Sequence, residues 1–145
     1  MQVVLDTSVI VAGTRSNAGA SHQLLKAALE RQFVMLLSVP LALEYEAVLK
    51  RPKQLKATGG TIQQIDSLLD ALIAVSRPVY RAFFWRPLLR DANDDMVLEV
   101  ALNGRADMLV TFNRKDFEPV ASSLAIDVMT PQAALQKIRR KDEEE

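Results

Sequence analysis

The chain has 145 residues, of which 49% are hydrophobic, so it is sized for one domain with a substantial core. Its 18 basic and 18 acidic residues give a formal net charge of zero, which argues against non-specific coating of DNA but not against a small catalytic site for RNA. The absence of cysteine excludes disulfides and thiolate metal sites. The sequence shows no signal-type leader and no apolar run of membrane-spanning length, so we expect a soluble, cytoplasmic protein without a membrane partner.

The first half of the sequence predicts strands that alternate with helices. Apolar, β-branched runs indicate the strands, apolar residues at helical spacing indicate the helices, and proline and glycine mark their ends. The predicted elements are a strand at 2–5, a loop at 14–20, a helix with Ser21 as N-cap, a strand at 33–37, a helix from Pro40 to Pro52, and a helix from Thr61.

The second half continues the alternation. The predicted elements are a short strand plus loop within 78–89, a helix from about Asn93 to Asn103, a strand at 108–111, a polar turn, a strand at 126–129, and a helix from Pro131 into the charged tail. This order predicts an α/β fold with a mostly parallel, about five-stranded sheet covered by helices on both faces. We expect one domain over residues 1–139 and a disordered, charged tail at 140–145.

Acidic residues stand where the predicted elements would bring them to one edge of that sheet. Asp6 follows the first strand, and the carboxyl ends of the strands in an open α/β sheet form the rim where ligands bind. The alternative for Asp6 is a cap on the turn through Thr7 and Ser8. Glu44 lies one turn into its predicted helix, where the helix dipole alone would also favour it.

The run from Asp91 to Asp95 holds three acids in five residues. Asn93 as N-cap, with Asp94 and Asp95 in the first turn, would satisfy capping rules alone. Two carboxylates about 4 Å apart, however, repel by roughly 4 kcal/mol at an effective dielectric of about 20. If the run meets Asp6 at the rim, a divalent cation or raised pKa values must offset this repulsion. Oxygen ligands favour Mg²⁺ or Mn²⁺.

The remaining polar and aromatic residues have ordinary interpretations. His22, the single histidine, is expected on the surface near a helix start. The aromatic run Phe83, Phe84 and Trp85 suits core packing or a protein interface better than base stacking. Basic residues that form either a solvated face or a phosphate groove are Lys50, Arg51, Lys53, Lys56, Arg77, Arg81, Arg86 and Arg90.

Six short motifs in a fixed order resemble the PIN domain, a metal-dependent ribonuclease fold, and in particular the small single-domain toxins of type II toxin–antitoxin systems. The motifs are Val4-Leu5-Asp6-Thr7-Ser8, Ser38-Val39-Pro40 with Leu43-Glu44-Tyr45, Val48-Leu49-Lys50-Arg51-Pro52, Asp91-Ala92-Asn93-Asp94-Asp95, Ala106-Asp107-Met108-Leu109-Val110-Thr111, and Asn113-Arg114-Lys115-Asp116-Phe117. Each motif is short, and their order and spacing carry most of the resemblance.

The resemblance implies a set of site residues. The family's first, second and third acids fall on Asp6, Glu44 and Asp95, and periodicity alone does not choose between Asp94 and Asp95. The family's fourth acid falls on Asn113, so Asp116 must substitute for it, directly or through a water, and a full second metal position is in doubt. The polar side chains implied to support the carboxylates are those of Thr7, Ser8, Thr111 and Asn113.

The implied activity is a Mg²⁺- or Mn²⁺-dependent endoribonuclease that hydrolyses RNA phosphodiester bonds. A cognate antitoxin and a homodimer are the implied protein partners. The main alternative is a catalytically weak or inactive PIN-fold module that acts by binding, which the Asn113 substitution favours. A phospho-acceptor receiver domain also gathers acids at a rim, but it requires a Lys after the fifth strand, where this chain has Pro131.

Overall fold

A five-stranded parallel sheet forms the centre of the protein, in a computed structural model that describes residues 1–80 and 92–144. The strands are β1 (Gln2–Leu5), β2 (Val34–Leu37), β3 (Arg77–Pro78), β4 (Met108–Val110) and β5 (Asp127–Met129). They are ordered β3-β2-β1-β4-β5, and every described pair is parallel. The predicted α/β fold is therefore confirmed, with an all-parallel rather than mostly parallel sheet.

Helices cover the sheet to give three layers. They are α1 (Thr7–Arg15), α2 (Ala20–Leu29), α3 (Val39–Leu49), α4 (Pro52–Thr58), α5 (Ile62–Val75), α6 (Ala92–Asn103), α7 (Arg114–Ala121) and α8 (Pro131–Glu144). Helices α1 to α5 and α8 form one group of contacting helices, and α6 contacts α3 of that group as well as α7, β1, β2 and β4. Across both described ranges, no helix combines the length and the apolar character needed to cross a bilayer.

Three helices were not predicted, and each carries a weak sequence signal. Helix α1 occupies residues that include the start of the predicted 14–20 loop, and α4 lies between Pro52 and the break at Gly59. Helix α7 replaces the predicted polar turn after β4. It contains Pro119 and buries only Phe117 and Ala121, a pair spaced by four residues that is too short to reveal a helical period.

The structure departs from expectation at the starts of two helices and at the end of the last one. Helix α2 begins at Ala20 with Gly19 as its N-cap, so Ser21 lies inside the helix. Helix α6 begins at Ala92, which places Asn93 inside it as well. Helix α8 continues through Glu144, where we expected disorder from 140 onward. The charged residues of this tail include Lys, Arg and Glu, which are good helix formers and extend an existing helix at little cost.

Strand β1 is the central strand, and it defines the place where the chain changes direction across the sheet. Its residues Val3, Val4 and Leu5 are fully buried between β2 and β4. From β1 the chain proceeds outward through β2 to β3, then returns to the other side of β1 to form β4 and β5. The topological switch point, where open parallel sheets bind ligands, therefore lies between the carboxyl ends of β1 and β4.

Candidate active site

Asp6 lies directly at this switch point. It follows β1, occupies the N-cap position of α1 and is 6% exposed. Its side chain makes no hydrogen bond to the backbone N–H groups at the start of α1. Instead, its Oδ2 accepts hydrogen bonds from Ser8 Oγ at 2.7 Å and from Thr111 Oγ1 at 2.8 Å. Charge-assisted bonds of this kind are the stronger class and hold the carboxylate in one orientation.

Thr111 joins the two strands that flank the switch point. It follows β4 and is fully buried, and its hydroxyl accepts a hydrogen bond from the backbone N–H of Asn113 at 3.0 Å. Because that N–H can only donate, the hydroxyl proton is directed toward Asp6 Oδ2. The backbone N–H of Asp6 in turn donates to the carbonyl of Val110 at 2.9 Å. The ends of β1 and β4 are therefore tied through both backbone and side chains.

The two carboxylate oxygens of Asp6 differ in the hydrogen bonds that they accept from Ser8 and Thr111. Within the described residues, both side-chain hydrogen bonds to Asp6 end on Oδ2. Ser8 and Thr111 therefore leave the other carboxylate oxygen, Oδ1, without a bond from either of them. A carboxylate held through one oxygen can present the other oxygen to a cation.

Helix α3 brings Glu44 and Tyr45 toward β1. The helix begins after Ser38, whose Oγ accepts a hydrogen bond from the Leu41 N–H at 3.2 Å. Glu44 is half-buried, whereas Tyr45 is fully buried and donates its hydroxyl proton to the carbonyl of Leu5. Burial raises the pKa of Tyr45 well above its ordinary value, and the negative charge of Asp6 raises it further. The Tyr45 hydroxyl is thus bonded to the residue that directly precedes Asp6.

Helix α6 carries the third acidic position. Asp94 and Asp95 lie in its first turn and are half-buried, while Val97, Leu98 and Ala101 form its buried side. Helix α6 contacts both β1 and α3, so the elements that carry Asp6, Glu44 and the α6 acids are neighbours. Burial does not distinguish Asp94 from Asp95. Asp91, which belongs to the same acidic run, lies outside the described residues.

Comparison of the sequence with known protein families identifies the family of this chain. Residues 2–115 match the family model described as the PIN domain, which is more than half of the chain. The chain belongs to the PIN domain family. PIN domains are typically nucleases and generally use Mg²⁺ or Mn²⁺. A comparison with curated protein sequences found no match.

The matched part of the PIN domain contains Asp6, Glu44, Asp95 and Asn113 but ends before Asp116. Asn113 occupies the N-cap position of α7 without a side-chain capping bond, and its side chain is exposed. Asp116 lies in the first turn of α7, and its backbone N–H donates to the Asn113 carbonyl at 3.0 Å. Its side chain is also exposed. Both residues follow β4, so both stand on the rim side of the sheet.

The donor chemistry of this PIN domain fits a hard cation, because the acids near the switch point offer only oxygen ligands. The geometry is less complete. In the part of the chain that the structure describes, no group of three or more acidic or histidine side chains is close enough to hold a metal ion as it stands. The fold thus brings the acidic elements together, and the described side chains do not close around one point.

The other residues singled out from the sequence are not part of the group formed by Asp6, Glu44 and the acids of α6. His22 is partly exposed, its Nδ1 lies 3.2 Å from the Gly13 carbonyl, and it lines a cavity of about 370 Å³. Lys50 is ion-paired with Asp66 at 2.6 Å and with Glu46 at 3.3 Å, and the Asp66 hydrogen bond raises its pKa. The basic and aromatic residues singled out from the sequence that lie outside the described ranges are Arg81, Phe83, Phe84, Trp85, Arg86 and Arg90.

The remaining described cations are exposed, which fits either a solvated face or a phosphate groove. Arg51, Lys53 and Lys56 are exposed around α4, and Arg77 donates to the Gly104 carbonyl at 2.6 Å.

Sequence reasoning assigned no role to Tyr45, although it stands next to Glu44. The available signal was a hydroxyl-bearing aromatic residue at a helix position that has to be buried, because a buried tyrosine normally needs a hydrogen-bond partner.

Proposed function

We propose that the protein is a metal-dependent endoribonuclease that hydrolyses RNA phosphodiester bonds at the rim around Asp6. The observation that carries the proposal is the Asp6 carboxylate itself, at the β1–β4 switch point, with Oδ2 held by Ser8 and Thr111. Membership of the PIN domain family supports the same class of activity.

Asp6, Glu44 and Asp95 would hold Mg²⁺ or Mn²⁺, with Asp94 as the alternative α6 ligand. When bound, such an ion polarises a phosphate and lowers the pKa of a coordinated water. The protein's own contribution is to fix Asp6 through Ser8 and Thr111. Thr7 and Asn113 would support the site from the same rim, and Asp116 would act from its outer part.

Cleavage of a fluorescent single-stranded RNA in Mn²⁺ tests the proposal. Asp6→Asn and Asp95→Asn should each reduce cleavage to background, because each removes a charged ligand while preserving side-chain shape. A parallel Asp94→Asn variant decides which α6 carboxylate is the ligand. Asp127→Asn is the matched control, since Asp127 lies on β5 and pairs with Lys137 at 3.1 Å. Circular dichroism and thermal unfolding establish that each variant is folded. Cleavage that persists in both Asp6→Asn and Asp95→Asn contradicts the proposal.

We further propose that this nuclease is the toxin of a toxin–antitoxin pair, that it acts on cytoplasmic RNA, and that it forms a homodimer. An apolar face supports a protein partner: Val39, Leu43, Ile73 and Tyr80 are exposed around a cavity of about 390 Å³. Growth arrest on expression, relieved by the product of an adjacent small reading frame, tests the toxin role. Light scattering of the wild type and Leu43→Glu tests the dimer, because a charge on this face should give monomers.

A binding-only module is the second candidate, favoured by Asn113 at the fourth acidic position and by the absence of a closed acidic cluster among the described side chains. Thermal unfolding with increasing Mn²⁺ separates the two. Stabilisation that is lost in Asp95→Asn supports the nuclease site. No response to Mn²⁺ supports the binding module.

A further inference from the structure

Tyr45 connects two elements that carry acidic residues. It belongs to α3, it is fully buried, and its hydroxyl donates to the carbonyl of Leu5 at the end of β1. Burial of a phenol among apolar side chains requires a partner for its hydroxyl, and a backbone carbonyl at a strand end requires a donor. This single hydrogen bond satisfies both groups.

The bond acts on the peptide unit that leads into Asp6. The Leu5 carbonyl is held by Tyr45, and the Asp6 N–H of the same peptide donates to the Val110 carbonyl at 2.9 Å. Because a peptide unit is planar and rigid, fixing it at both ends fixes the position of the Asp6 Cα. Ser8 and Thr111 then orient the carboxylate beyond it.

The same bond also acts on α3. Glu44 immediately precedes Tyr45, so any shift of α3 relative to β1 that breaks the Tyr45 bond also moves the Glu44 backbone relative to Asp6. We infer that Tyr45 is a positioning residue that sets the separation between Asp6 and Glu44 and thereby tunes the affinity of the pair for one divalent cation. This inference rests on the proposed metal-dependent nuclease and adds a residue that touches neither metal nor RNA.

Tyr45→Phe tests the inference because it removes only the hydroxyl and keeps the ring in the core. The probe is Mn²⁺, and the readouts are the Mn²⁺ concentration that gives half of the thermal shift and the concentration that gives half-maximal cleavage. Loss of a residue that supports a metal ligand typically weakens metal affinity by about 10- to 100-fold. We expect both midpoints to rise by at least about tenfold, while the KM for RNA at saturating Mn²⁺ stays unchanged.

Leu49→Val is the matched control, since Leu49 is buried on the same helix, one turn beyond Tyr45 and directed to the core. It should lower the melting temperature in metal-free buffer without moving either Mn²⁺ midpoint. If Tyr45→Phe leaves the midpoints at the wild-type values, or if Leu49→Val moves them equally, Tyr45 has only a structural role and the inference is overturned. Failure of the proposed function has a different signature, because Asp6→Asn would then respond to Mn²⁺ like the wild type.

Discussion

The hydroxyl of Thr111 donates a hydrogen bond to Oδ2 of Asp6 at 2.8 Å, although 105 residues separate the two in the chain. The bond crosses the switch point of the sheet from the end of β4 to the end of β1. It helps to hold a nearly buried carboxylate in one orientation through Oδ2. The rim around Asp6 is thus organised by two residues that are far apart in the sequence.

Thr111→Val should impair metal-dependent cleavage by about 10- to 100-fold, because it preserves shape but removes the donor to Asp6. Thr130→Val provides the comparison. Thr130 also follows a strand, but its Oγ1 accepts from the Ala133 N–H at 3.3 Å, at the start of α8. Initial rates at several Mn²⁺ concentrations measure the effect. Equal losses in the two variants would indicate a general effect on stability and not a specific one on Asp6.

Alkaline pH should destabilise the wild type more steeply than Tyr45→Phe. The pKa of Tyr45 is raised above 10.0 in the folded protein, mainly by burial and then by the Asp6 charge. The protonated Tyr45 hydroxyl therefore contributes fully to stability below pH 10.0. This contribution is lost as the pH rises from 10.0 toward the pKa of the folded state, because the unfolded chain releases a proton that the native state retains. Within this window the free energy of unfolding falls by up to about 1.4 kcal/mol per pH unit.

Urea unfolding at pH 8 and pH 11 measures this difference. Tyr80→Phe is the matched control, since Tyr80 is 78% exposed and its hydroxyl meets solvent in both the folded and the unfolded state. It should show the wild-type loss of stability. A Tyr45→Phe protein that loses as much stability as the wild type would mean that Tyr45 does not titrate in unfolding.

Ser21→Ala should stabilise the protein by about 1 kcal/mol. The Ser21 hydroxyl is buried inside α2 and has no partner among the described groups, so its removal relieves a desolvation cost, and alanine is the better helix former. Ser76→Ala should have the opposite sign, because Ser76 Oγ donates to the Leu72 carbonyl at 2.7 Å. Denaturant midpoints compare the two variants. A Ser21→Ala protein less stable than the wild type would reveal a bound water or another partner for the hydroxyl.

Asn113→Asp should lower the Mn²⁺ concentration needed for half-maximal cleavage, by roughly tenfold or about 1.4 kcal/mol. It adds a carboxylate beside Thr111, at the position that resembles the family's fourth acid. Asn17→Asp makes the same change of charge at an exposed residue after α1 and should leave the midpoint unchanged. If the two variants behave alike, the added charge at 113 does not reach the cation, and Asp116 becomes the better candidate for the outer role.

The repetitive parts of this fold could be predicted from the sequence. Buried parallel strands are continuous apolar runs, and β1, β2 and β4 have that pattern. The Thr61 capping box with Gln64 marks the start of α5. Asp6 at a strand end could also be predicted, because its position follows directly from the strand before it.

Features that depend on packing between distant elements could not be predicted. Helix α7 buries Phe117 and Ala121 because β5 and α6 lie beside it. Its polar sequence does not indicate that contact. The Tyr45–Leu5 bond requires the position of α3 over β1, which periodicity does not supply. Whether the acidic side chains converge on one point likewise depends on rotamers and helix placement. Neither can be predicted from the spacing of residues in the sequence.

The separation of 105 residues between Asp6 and Thr111 has a consequence for synthesis of the protein. Strand β1 is made first, but it is the central strand and pairs with β4, which is made after residue 107. Contacts this distant in sequence form late, since the intervening loop must close before they contribute. A nascent chain on the ribosome therefore carries Asp6 without its Thr111 partner until residue 111 has been made, which delays assembly of the proposed nuclease site until that point.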